Sequence, residues 1–143
     1  MLLVVDTCIW VSAFVPSEQH HISSRKLVDN VLTGHHQVIL PYVVLTEVVC
    51  RIALRLKGNS QASEIAVRWG EQVLRMRNIY WKPIDRLFAY EAALFGQKHG
   101  LRGMDALIAF AALHNNCELL TEDEDFQAVA NIIKVKALSD VLR

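Results

Sequence analysis

A chain of 143 residues with 15 Lys and Arg against 15 Asp and Glu has no formal net charge. A polyanion therefore cannot be held by bulk electrostatics and would need local arginines or bound cations. With 52% hydrophobic residues and no low-complexity tract, repeat or flexible linker, the chain can bury a sizeable core and reads as one domain over 1–143.

In chain order, the apolar run Leu2–Val5 predicts a strand buried on both faces, as in a parallel sheet. Ile9–Phe14 and Glu18–Thr33 read as helices, the second stopped by Gly34. Gln37–Leu40 is a strand, and Pro41 opens a long helix, Tyr42–Lys57, stopped by Gly58. Ser60 is placed to cap a helix running to about Arg77. Ile79–Lys82 is a third strand, and Asp85–His99 a helix closed by Gly100. A further helix, MDALIAFAALHNN, follows Gly103; Glu118–Leu120 and Ile132–Val135 are the last strands, and Ser139–Leu142 is a terminal helical turn. This alternation predicts an α/β fold with a mainly parallel central sheet covered by helices.

Cys8, Cys50 and Cys117 are odd in number, far apart and in apolar contexts. They predict buried thiols in a reducing compartment, not a disulfide framework or a zinc site. The opening MLLVVDTCIWVSAFV lacks a basic segment and is broken by Asp6, so it does not read as a signal peptide. No run reaches the roughly 18 apolar residues of a membrane span, and a cytoplasmic protein is expected.

Ligands of parallel α/β folds sit beyond the carboxyl ends of the strands. Asp6 ends the first strand, and Asp123 and Asp125 follow the fourth within the acidic run LLTEDEDF. Each has a plain alternative: Asp6 can cap a helix, and the run can be a solvated loop capping a short helix near Phe126. Glu47 lies beside the apolar face of its helix and can be read as the ion-pair partner of Arg51, one turn on. Asp105 stands in the first turn of its helix, on the stripe continued by Ile108, Ala109 and Ala112. Carboxylates that converge in a half-buried pocket need counter-charge, and a hard divalent ion such as Mg²⁺ supplies it while also engaging phosphate oxygens.

Asp6 after an apolar strand, Thr46-Glu47 within a helix, Asp105 in RGMDALIAFAA and Asp123 in LLTEDEDF together resemble the PIN-domain ribonucleases. The short chain is most similar to the VapC-type toxins of toxin–antitoxin pairs, and the resemblance spans essentially all 143 residues. It implies a three-layer α/β/α fold and a Mg²⁺- or Mn²⁺-dependent endoribonuclease. It makes Asp6, Glu47, Asp105 and Asp123 the catalytic and metal-binding acids, with Asp125 an accessory ligand or a loop brace. It also implies accessory hydroxyls at Thr7 and Thr121, an RNA substrate, a cognate antitoxin and a homodimer. Glu122 and Glu124 depart from relatives, where those positions are basic or neutral. Arg51, Arg55 and Arg102 lie near the acids in sequence and are candidate RNA contacts.

The remaining alternatives are an RNA-processing nuclease outside a toxin pair, a phosphatase and a non-catalytic RNA-binding adaptor. A phosphatase of the aspartyl type would want a second acid after Asp6, where Thr7 and Cys8 stand. The doublets His20–His21 and His35–His36 read as solvated, and Trp10, Trp69 and Trp81 as core or interface residues.

Overall fold

The first strand, β1 (Leu2–Val5), is buried from Leu3 onward, as its unbroken apolar run requires of a strand covered on both faces. The structure, a computed structural model, describes residues 1–142. After β1 come α1 (Thr7–Ser12), α2 (His21–Leu32), β2 (Gln37–Pro41), α3 (Tyr42–Arg55), α4 (Ala62–Arg75) and β3 (Ile79–Lys82). The second half holds α5 (Arg86–His99), α6 (Gly103–His114), β4 (Glu118–Leu120), a 3₁₀ turn over Glu124–Val129, β5 (Val135–Lys136) and α7 (Leu138–Val141).

The strands form one five-stranded sheet in the order β3-β2-β1-β4-β5, every pair parallel. Parallel strands need crossovers, and crossovers are right-handed. The chain moves outward from β1 to β2 to β3, then returns past β1 to β4. That reversal sends α5 and α6 to the face opposite α1–α4, giving the three-layer α/β/α arrangement. In keeping with it, α6 lies over β1, β2 and β4 and against α5, while α3 packs on α1 and α4.

The layers are cemented by complementary shapes. The rings of Trp10 and Trp69 meet edge to face at 5.3 Å, and the Trp10 indole N–H donates to the Val5 carbonyl at 3.2 Å, which satisfies its one buried polar atom. On the other face α5 and α6 approach so closely that a Cβ at Gly96 would stand 2.5 Å from the Cβ of Ala106. Gly96→Ala gains about 1 kcal/mol of helix propensity, yet it forces the two helices apart at a cost of about 1–3 kcal/mol. A lower urea midpoint is the expected net result.

Several boundaries differ from the sequence reading. α1 begins at Thr7 and not at Ile9, because the turn follows directly on Asp6. Residues before His21 form turns, so α2 starts three residues later than expected. Ser60 is not a cap: the Asn59 side chain accepts from the Gln61 amide at 2.9 Å, and α4 starts at Ala62. By contrast Asp85 does cap α5, accepting from the Phe88 amide at 2.8 Å, and Gly100 closes it in the left-handed conformation (φ 71°). The last strand is Val135–Lys136 and not Ile132–Val135, since Ile133 turns into the core while Ile132 stays exposed. Cys50 is exposed, so only Cys8 and Cys117 are partly covered thiols. Of the two histidine doublets only His35 is exposed; the His21 ring nitrogen lies 2.7 Å from the Ser12 carbonyl.

Candidate functional site

The reversal in strand order leaves a crevice beyond the carboxyl ends of β1 and β4, where the crossovers diverge and backbone cannot fill the space. The Asp6 amide donates to the Leu120 carbonyl at 2.9 Å, which fixes the end of β1 against the end of β4. Into this crevice α3 brings Glu47 and the first turn of α6 brings Asp105. The result is a cleft of about 470 Å³ lined by Asp6, Thr7, Cys8, Glu47, Arg51, Arg102, Asp105 and Asp123, with Gly103 and Met104 completing its wall. A second hollow of similar size lies between α2 and α4, away from the strand ends.

Asp6 is the deepest of the acids, 5% exposed. Its Oδ2 accepts from the Thr121 hydroxyl at 2.7 Å and from the Cys8 thiol at 3.0 Å. Both donors are neutral, and among the described residues Asp6 has no ion pair. Burial raises its pKa, the two side-chain hydrogen bonds and the Thr7 amide pull it back in part, and the charge of Asp105 pushes it further up. Burial likewise raises the Cys8 thiol, reinforced by the adjacent Asp6 charge. The thiol is therefore a proton-bearing donor and a poor nucleophile.

Asp105, half-buried, is raised by burial; the Arg102 hydrogen bond and charge lower it, and Asp123 and Asp125 raise it again. Glu47 accepts from the Thr7 hydroxyl at 2.6 Å, while its contact with Arg51 is loose, 3.9 Å. The short bond aims the Glu47 carboxylate at the strand ends, and the helical ion pair adds little.

The acidic run divides into distinct jobs. Asp123 accepts from the Asp125 amide at 2.9 Å and caps the 3₁₀ turn, while its own amide is held by the Thr121 hydroxyl at 3.0 Å. Glu122 points the other way and accepts from the Leu138 amide at 2.6 Å, capping α7. Asp125, largely exposed, pairs with Arg102 at 3.2 Å.

The structure thus brings Asp6, Glu47, Asp105 and Asp123 to one cleft, with Thr7 and Thr121 bonded to two of them, and sets Asp125 on its rim. Arg51 and Arg102 line the cleft. Arg55 does not: it pairs with Glu18 at 3.1 Å in a small neighbouring hollow. Cys8 was missed by sequence reasoning, although its place two residues after Asp6 was the available signal.

These residues suit a hard divalent ion. The donors are carboxylate oxygens, and Asp6 is a buried anion whose bonded partners carry no positive charge. Among the described residues no group of three or more His, Cys, Asp or Glu side chains is spaced to hold a metal ion as it stands. A Mg²⁺ ion would need few direct carboxylates, because it keeps several of its waters. No helix among the described residues is long and apolar enough to cross a membrane.

In solved structures the fold recurs at low sequence identity. VapC20 of Mycobacterium tuberculosis, described as a toxin that cleaves the sarcin–ricin loop, is similar at a TM-score of 0.71 and 17% identity, over 95% of this chain and 99% of that one. VapBC2 of Rickettsia felis, bound to a DNA fragment from its promoter, gives 0.61 and 18% over 96% and 98%. A toxin–antitoxin complex from Klebsiella pneumoniae gives 0.65 and 17% over 96% and 98%. Such identities establish a shared fold. No curated protein matches in sequence. The PIN-domain family model aligns with residues 3–132, from the start of β1 through the 3₁₀ turn after β4, and so takes in all four clustered acids: the chain belongs to the PIN-domain family.

Proposed function

We propose that the protein is a Mg²⁺- or Mn²⁺-dependent endoribonuclease and the toxin of a toxin–antitoxin pair. The observation that carries this reading is the convergence of Asp6, Glu47, Asp105 and Asp123 on one cleft at the β1–β4 strand ends. Membership of the PIN family and the toxin–antitoxin descriptions of its structural neighbours support it.

Asp6, Asp105 and Asp123 would hold the ion, with Glu47 completing the set, and Asp125 is left to brace the rim through Arg102. When bound, the ion lowers the pKa of a water and neutralises charge on the scissile phosphate. The chain's own groups set the geometry. The Thr121 hydroxyl holds Asp6 and the Asp123 amide together, so the two strand ends present their carboxylates as one unit. The Thr7 hydroxyl fixes the Glu47 carboxylate at the cleft, where it would take a proton from the attacking water. Water would add to phosphorus, the P–O ester bond would break with its electron pair leaving on the sugar oxygen, and solvent water would protonate that oxygen. Arg51, which lines the cleft, would meet the phosphate backbone and add local positive charge to a chain of zero net charge.

Cleavage of structured and unstructured RNA by purified protein is expected with Mg²⁺ or Mn²⁺ and not in excess EDTA. Full activity in chelator would remove the metal from the mechanism. Glu47→Gln separates a working carboxylate from a helical ion-pair partner. Stability should change by only a few tenths of a kcal/mol, the worth of an exposed pair, while the cleavage rate falls by at least about tenfold. An active variant would reduce Glu47 to a structural residue.

The antitoxin is the partner this reading requires. A disordered peptide carrying an Arg can place a guanidinium over the acids in place of metal, and such a peptide folds as it binds. Co-expression with the product of the adjacent gene should give a complex without ribonuclease activity. Binding that leaves cleavage at full rate would count against the toxin assignment alone.

A further inference from the structure

The cleft already contains a cation of its own. The guanidinium of Arg102 reaches Asp105 through Nε at 3.1 Å, and Asp125 and Asp123 through Nη2 at 3.2 and 3.8 Å. Three carboxylates from two separate segments are therefore gathered by one side chain, and one of them, Asp105, is 13% exposed. The other cleft arginine does nothing comparable: among the described residues Arg51 has one ion pair, with Glu47 at 3.9 Å.

Arg102 is built to move without disturbing the fold. It is the residue before α6, in extended conformation, and its carbonyl accepts from the Ala106 amide at 2.8 Å. The backbone is thus pinned, while the side chain, 73% exposed, swings outside the helix. A divalent ion on Asp105 and Asp123 takes over the same carboxylate charge and repels the guanidinium. An exposed side chain has a low cost of leaving, because water rehydrates it and rotamer freedom returns.

Building on the metal-ion reading, we propose that Arg102 is a tethered counter-ion that the divalent ion displaces. In the metal-free protein it holds Asp105, Asp123 and Asp125 in register, so the acids stay clustered in place of repelling one another. On metal binding it is released to the mouth of the cleft, where a phosphodiester can accept its fork of donors. Metal loading and exposure of a phosphate-binding arginine are then one event. Arg102 is a positioning residue in the first state and a substrate contact in the second.

The test is a Mg²⁺ titration of the ¹⁵N-labelled protein followed at backbone amides and arginine Nε–H groups, with Arg102→Lys used to assign the Arg102 signal. Saturating shifts are expected at the Asp6, Asp105 and Asp123 amides. Over the same concentrations the Arg102 Nε–H should move to the position and mobility of a free side chain. An Arg102 signal that stays put while those amides saturate overturns the proposal and leaves the metal site intact. Silence at both overturns the metal reading and the proposal with it. By calorimetry Arg102→Gln should bind Mg²⁺ about fivefold more tightly, the low end of site-to-site coupling. Equal or weaker binding shows that Arg102 does not compete.

Discussion

Asp6→Asn is expected to abolish cleavage and, in the absence of metal, to make the protein more stable. Removing even a group that supports a metal ligand costs about 10–100-fold, so loss of the central carboxylate should exceed 100-fold. The gain in stability follows from the geometry. Asp6 is a buried anion whose partners are a thiol and a hydroxyl, neither charged. Asn keeps the shape and one carbonyl oxygen to accept both donors, and it removes a charge that the fold leaves without a counter-ion. Relief on the order of 1 kcal/mol corresponds to a melting temperature about 3 °C higher for a chain of this size. Thermal denaturation in EDTA reads one effect, and RNA cleavage in Mn²⁺ the other. A variant that is both inactive and less stable would indicate a structural Asp6.

The second large effect is the coupling of metal, protons and stability. Burial gives Asp6 and Asp105 higher pKa values in the folded chain than in the unfolded one. Between the ordinary carboxylate range and those raised values the folded state binds more protons, so the contribution of these two groups falls as pH rises. It is fully present below the unfolded pKa and lost above the folded one. Metal-free protein should therefore lose stability from these groups as pH rises from the ordinary carboxylate range through their raised folded values. Asp6→Asn should lose less over the same range. Added Mg²⁺ or Mn²⁺ replaces the missing positive charge. At 100 times its dissociation constant it should add about 2.7 kcal/mol, raising the melting temperature by roughly 5–10 °C at neutral pH. That gain should shrink on acidification, because protons compete for the same oxygens. A melting temperature indifferent to metal at neutral pH, or a metal effect that does not depend on pH, would remove the ion from these carboxylates.

Much of the framework is legible in the sequence because it rests on local rules. Unbroken apolar runs mark the strands, Asp85 and Gly100 punctuate α5, and the strand-end rule puts Asp6 and Asp123 on one edge. Asp105 shows itself as a carboxylate on an apolar stripe. What stays illegible depends on partners distant in the chain. Nothing near Glu122 announces that it caps α7, and the spacing of Arg102 does not show that it bridges two loops. Glu47 looks like half of a helical ion pair until Thr7, from another element, is seen to hold it. Ile132–Val135 has the composition of a strand, yet the turn after β4 uses its first residues before pairing begins. Cys50 has an apolar neighbourhood in sequence but lies on the outer side of α3.

The pairing of β1 with β4 also sets when the cleft can exist. Leu3 aligns with Glu118, so the seam that carries the acids joins segments far apart in the sequence. A chain leaving the ribosome presents Asp6 and Glu47 well before Asp105 and Asp123. Contacts so far apart in sequence form late, because the intervening chain must first be ordered. On the proposed reading a half-made molecule is chemically silent beside the RNA that is being read to produce it, and competence arrives only once β4 has paired with β1 and brought Asp123 to Asp6.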